Sequence, residues 1–154
     1  MTISAAYMHT NLIADDWRAL ADFYVRVFGC VPVPPERDLA GDAIERGTGI
    51  PGVHLMGMHL RLPGTGENGP TLEIYQYNLP AEAGVKAVNR PGFGHLAFRV
   101  DDVNAAREQV LAAGGRPVGD VVTTAVGDDR QITWCYLADP EGNILELQSA
   151  ITLK

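Results

Sequence analysis

Cysteine is nearly absent. Cys30 and Cys135 are the only two in 154 residues, and they form no C-x-x-C pair. That excludes a disulfide framework and leaves no thiolate set for an iron–sulfur or structural zinc centre. It suits two reduced, buried thiols in a cytoplasmic protein. Long apolar runs are absent too: none reaches the ~18 residues that a membrane span requires. The opening MTISAAYMHTN has neither the basic start nor the apolar stretch of a secretory leader. Basic residues are in deficit, with 12 Lys and Arg against 19 Asp and Glu for a net charge of −7. A phosphate backbone needs a basic face, so nucleic acid is not an expected partner, and neither is an anionic membrane surface.

What is present is an ordinary core. Nearly half of the residues are apolar (46%), enough for one domain over residues 1–154. Residues 6–14 read as a strand. The stretch DDWRALADFYVRVFG reads as a helix, with Asp15 or Asp16 as its cap. Trp17, Leu20, Phe23, Tyr24, Val27 and Phe28 recur there at helical spacing, and Gly29 stops it. Residues 31–52, rich in Pro and Gly, read as a long loop with one weak strand near 43–46. Residues 53–62 and 71–78 read as strands separated by a turn.

The second half repeats this order. FGHLAFRV reads as a strand and DDVNAAREQVLAAGG as a helix, capped by Asp101 or Asp102 and stopped by Gly114. One strand and a turn follow, then a second strand, the hairpin turn ADPEGN and a closing strand ILELQSA. Each half is therefore strand, helix, then two or three strands. The expectation is two βαβββ modules, at about residues 5–78 and 91–150.

The repeat gives weight to four residues. His9 lies six positions before Asp15, and His95 six before Asp101, so each histidine falls in the first strand of its module. Glu73 sits between Leu72 and Ile74, and Glu146 between Leu145 and Leu147, each pointing opposite to its aliphatic neighbours. A single histidine or glutamate of this kind is ordinary in a strand. A histidine followed by a glutamate at matching places in both modules is not. The spacings differ, 64 residues against 51, and the segment 31–52 absorbs the difference. Two imidazoles and two carboxylates suit a divalent cation, because the carboxylates balance its charge and the set contains no thiolate. Zn, Ni, Co, Mn and Fe(II) all fit such donors.

With these features in place, the chain resembles the vicinal oxygen chelate superfamily, which includes glyoxalase I, methylmalonyl-CoA epimerase, extradiol dioxygenases and the fosfomycin and bleomycin resistance proteins. The resemblance rests on HTNLIADDWRALADFYVRVFG, LEIYQYN, RPGFGHLAFRVDDV and LADPEGNILELQS, and it covers almost the whole chain. It implies an α+β fold in which two βαβββ modules form a curved mixed sheet around a metal site. It places the metal positions on His9, Glu73, His95 and Glu146. A full His/Glu/His/Glu set resembles the glyoxalase I and epimerase side, since extradiol and fosfomycin enzymes typically lack a ligand at the Glu73 position. The segment 31–52 differs from the usual glyoxalase connection, and no glutathione-binding cluster stands out.

The implied chemistry is proton abstraction next to a carbonyl, with two substrate oxygens on the metal and Glu73 or Glu146 as the base. Tyr75 and Tyr77 share the face of Glu73 and are candidates to line a substrate pocket, with His59 and Arg61 as candidate anion contacts. His54 has no partner that the sequence identifies. The resemblance also implies a homodimer acting on a small molecule. An Fe(II) dioxygenase of extradiol type, or a small-molecule binding or resistance protein, are the alternatives.

Overall fold

A computed structural model describes residues 2–153 of the chain. It is a mixed α+β structure that divides into two units, Met1–Glu82 and Ala83–Lys154. No helix among the described residues is long and apolar enough to cross a membrane.

In the first unit the order is β1 (His9–Ile13), α1 (Trp17–Phe28), β2 (Val31–Ala40), α2 (Asp42–Thr48), β3 (His54–Arg61) and β4 (Thr71–Tyr77). Asp16 opens α1 by accepting the backbone N–H groups of Arg18 and Ala19, and Gly29 closes it in the left-handed conformation, with φ of 67°. Trp17, Leu20, Phe23 and Tyr24 are buried along the inner stripe of this helix. The strands form one sheet in the order β1-β4-β3-β2, with β1 parallel to β4 and the other pairs antiparallel. α1 packs on β3 and β4, where Leu60, Leu72 and Ile74 are fully buried. Each such aliphatic side chain contributes about 1.5–3 kcal/mol when withdrawn from water. Glu73 and His59, one residue out of phase with that set, therefore turn to the other face of the sheet.

The second unit follows the same plan: β5 (Leu96–Arg99), α3 (Val103–Ala112), β6 (Arg116–Pro117), β7 (Val122–Val126), β8 (Arg130–Ala138) and β9 (Ile144–Thr152). Its sheet runs β5-β9-β8-β6, with β7 also paired to β8, and β5 is parallel to β9. α3 is capped by Asp102 and packs on β8 and β9. The buried side chains on those strands are Cys135, Leu137, Leu145 and Leu147. The ADPEGN turn is built around Asp139, a fully buried carboxylate. Its Oδ1 accepts the backbone N–H groups of Glu141 and Asn143, and its Oδ2 accepts Nδ2 of Asn143 at 2.7 Å.

Three local expectations are corrected. Residues 31–52 are not a loop with a weak strand near 43–46. They hold the ten-residue strand β2 and the helix α2, and Ala43–Arg46 lies within the helix. Pro32, Pro34 and Pro35 are tolerated because β2 is an edge strand, and its register shifts between Val33 and Arg37. β5 starts at Leu96, so His95 stands one residue before the strand rather than inside it. The stretch before β8 holds two short strands instead of one.

Candidate functional site

The sheet registers superimpose the two modules residue by residue. In the first, Asn11 faces Glu73 across β1 and β4, and His59 faces it from β3. In the second, Ala97 faces Glu146 across β5 and β9, and Tyr136 faces it from β8. His9 and His95 each lie two positions before the residue opposite the glutamate. The period of two along a strand puts each histidine on the face of its glutamate. The equivalence of His9 with His95 and of Glu73 with Glu146 is thus a property of hydrogen-bond register as well as of sequence order.

Around Glu73 the contacts are dense. Its Oε1 accepts from His59 Nε2 at 2.9 Å, and its Oε2 accepts from Asn11 Nδ2 at 2.9 Å. His9 Nε2 lies 3.5 Å from Oε2. The Glu73 side chain is 12% exposed and that of His9 43%, so the carboxylate is recessed and one imidazole stands at its mouth. The rings of His9 and His59 meet edge to face, 5.6 Å apart. His59 Nδ1 is 3.0 Å from the Thr71 hydroxyl. Burial lowers the pKa of His59, and the charges of Arg37 and His9 act in the same direction, against the opposing pull of Glu73. Burial, followed by the charge of Glu73 and a hydrogen bond to it, pushes the Tyr75 hydroxyl up to about 12. Both groups are therefore neutral near pH 7. The Tyr75 ring crosses Gly57, its register partner on β3, where an added Cβ would stand 2.2 Å from Tyr75 Cδ1 and 2.0 Å from the Ile74 carbonyl oxygen.

The half-site of the second unit is sparser. His95 Nε2 donates to Glu146 Oε2 at 2.8 Å, and Gln148 Nε2 donates to Oε1 at 3.2 Å. The His95 ring packs on Tyr136, with centroids 5.1 Å apart, and Tyr136 packs on Trp134.

The structure thus brings together His9 with Glu73, and His95 with Glu146. It binds His59 to Glu73 and Thr71, where the sequence suggested a contact for a substrate anion. Arg61 shares the Glu73 face, but one of its guanidinium nitrogens donates to the Gly69 carbonyl across the β3–β4 turn. Tyr77 lies two places beyond Tyr75 on the same face, opposite Leu55. His54, for which the sequence identified no partner, is 2.5 Å from Asp38. Asn11, Thr71, Arg37, Tyr136 and Gln148 were missed. Asn11, Thr71 and Gln148 each lie two residues from a singled-out position, so alternation alone flags them. Arg37 sits on β2, which prolines disguise as a loop.

The donors in the first unit are chemically suited to a divalent cation. His9, His59 and Glu73 offer two nitrogens and one oxygen, all within 4.8 Å of one another. Such N/O ligation without sulfur fits Zn, Ni, Co, Mn or Fe(II). Neutral imidazole is the ligating form, and His59 is biased toward it.

Comparison with known proteins adds a family and a fold. The family model described as the Glyoxalase/Bleomycin resistance protein/Dioxygenase superfamily matches residues 7–147. No curated protein matches the chain in sequence. Among solved structures, a glyoxalase family protein from Bacillus cereus is 17% identical with a TM-score of 0.79, over 99% of this chain and 97% of that one. A glyoxalase/bleomycin resistance protein/dioxygenase family enzyme from Burkholderia phytofirmans PsJN is 16% identical with a TM-score of 0.58, over 94% and 98%. The fosfomycin resistance protein FosX from Listeria monocytogenes, complexed with Mn(II) and sulfate ion, is 15% identical with a TM-score of 0.52, over 96% and 93%. At these identities the likeness is one of fold.

Proposed function

The chain belongs to the Glyoxalase/Bleomycin resistance protein/Dioxygenase superfamily, and from that premise we propose a divalent-metal-dependent isomerase or lyase of glyoxalase I and epimerase type. Its substrate class is a small molecule carrying an acidic C–H next to a carbonyl. The observation that carries this reading is the repeated pairing of a recessed carboxylate with imidazole, Glu73 with His9 and His59, and Glu146 with His95. His9, Glu73, His95 and Glu146 are the proposed metal-holding residues. A cation held there supplies Lewis-acid stabilisation of the charge that develops on the carbonyl oxygen.

The chain's own residues supply the proton transfer. Glu73 is held by His59, Asn11 and Tyr75, with His9 beside it, which suits an anchored carboxylate. Glu146 has two side-chain donors, His95 and Gln148, and is the proposed base. With a substrate that carries a hydroxyl on the carbon next to the carbonyl, Oε2 of Glu146 takes the proton from that carbon and returns it to the former carbonyl carbon, while the hydroxyl proton passes to the former carbonyl oxygen, so that the carbonyl shifts by one position. His95, already donating to Oε2, keeps it oriented. Tyr75, Tyr77 and Arg61 are the proposed substrate-facing side chains. One domain over residues 1–154, homodimeric and cytoplasmic, is the proposed setting.

The test uses untagged protein, metal analysis, and solvent deuterium exchange into enolisable carbonyl compounds. Glu146→Gln should lower exchange by about 10²–10⁴-fold with metal content nearly unchanged, because an amide oxygen still coordinates but does not take up a proton at neutral pH. Unchanged exchange in both Glu73→Gln and Glu146→Gln removes the reading. Oxygen uptake with iron bound would support a dioxygenase instead, and a protein without bound metal a binding or resistance role. Light scattering at micromolar concentration that shows only monomer would remove the dimer.

A further inference from the structure

His59 is not among the four positions that the family resemblance assigns to metal, yet its Nε2 stands 2.9 Å from Glu73 Oε1. We propose that His9, His59 and Glu73 form a three-donor cation site complete within the first unit, which holds a divalent ion without His95 or Glu146. The inference rests on the metal-dependent reading above but names a different donor set.

Three observations carry it. The first is spacing. Donors about 2.1 Å from a common ion stand about 3.0–3.4 Å apart along the edge of an octahedron or tetrahedron. His59 Nε2 and His9 Nε2 lie 2.9 and 3.5 Å from the two Glu73 oxygens, and all three donor groups fall within 4.8 Å.

The second is the outer shell. Ligating histidines commonly present their second ring nitrogen to a hydrogen-bonding partner that sets the tautomer. Here His59 Nδ1 meets the Thr71 hydroxyl at 3.0 Å. That hydroxyl accepts as well as donates, so it serves both states of the ring. While Nε2–H donates to Glu73, the hydroxyl donates to Nδ1. When Nε2 turns its lone pair to a cation, Nδ1–H donates to the hydroxyl. Asn11 Nδ2 holds the second Glu73 oxygen at 2.9 Å, so the carboxylate is oriented as well.

The third is the broken symmetry. Tyr136 occupies the place of His59 in the second module, and a phenol is a poorer ligand for a divalent cation than an imidazole. Among the described residues the second half-site therefore offers His95 and Glu146, and the first offers three donors. The fuller donor set among the described residues lies in the first unit.

The experiment titrates untagged full-length protein with Co(II), followed by calorimetry and by the visible absorption of the bound ion. The variants are His59→Gln and the double change His95→Ala/Glu146→Ala. The proposal expects the double variant to bind one equivalent with a wild-type spectrum, and His59→Gln to lose about 100-fold or more in affinity with an altered spectrum. Loss of Co(II) in the double variant while His59→Gln binds normally overturns the proposal and leaves the four-ligand reading standing. No Co(II) binding by the wild type removes both. A measurement on the unaltered protein guards against misfolded variants. On addition of Zn(II), 15N-histidine spectra should show His59 Nε2 losing its proton and Nδ1 gaining one. His59 resonances that do not respond overturn the proposal.

Discussion

His59 and Glu73 are register partners across β3 and β4, and His59 Nε2 stands 2.9 Å from Glu73 Oε1. The pairing makes the imidazole part of the carboxylate's surroundings and orients it through Thr71, which faces His9 across β1 and β4. Thr71→Val removes this support while preserving side-chain shape. The expected outcome is a loss of about 10–100-fold in affinity for Co(II) or Zn(II), with thermal unfolding shifted little. Calorimetric titration of the variant checks it.

Asp139 gives a prediction about stability. Its buried carboxylate accepts three hydrogen bonds that close the turn between β8 and β9. Asp139→Ala strands those donors and should cost about 3 kcal/mol, while Asp139→Asn, which keeps one oxygen acceptor, should cost less. Urea unfolding, followed by far-UV circular dichroism, reads both.

Cys30 gives a prediction about pH. The side chain is 2% exposed, and burial pushes its thiol up to about 11. In the unfolded chain it ionises near ~8.5. The folded state therefore keeps the proton where the unfolded state loses it. This contribution to stability is complete below about pH 8.5 and is lost as the pH rises toward 11. Cys30→Ala abolishes the dependence. The difference in urea midpoint between wild type and variant should narrow from pH 8 to pH 10.5, and a constant difference would contradict the assignment.

The parts of the fold legible in the sequence are those where local signals and packing agree. α1 was readable because its cap, apolar stripe and terminal Gly29 all point to one helix. Strand alternation and the internal repeat marked out His9, Glu73, His95 and Glu146, whereas their convergence was implied by the family resemblance; the contact of His9 with Glu73 and of His95 with Glu146 depends on strand pairing. β2 was hidden because prolines read as loop, and only its place at the sheet edge makes a strand of them. His59 was visible as a residue but not as a partner of Glu73. Its role depends on the register of β3 against β4, which no pattern within β3 encodes. Arg37 was lost together with β2.

The prolines of β2 also limit how copies of this chain assemble. Pro32, Pro34 and Pro35 lack backbone N–H donors and so interrupt the hydrogen-bonding pattern of the edge strand in the first unit's sheet. A neighbouring strand therefore finds an interrupted ladder over residues 32–35, which disfavours pairing along that part of the edge. The same interruption guards residues 32–35 against strand-by-strand aggregation.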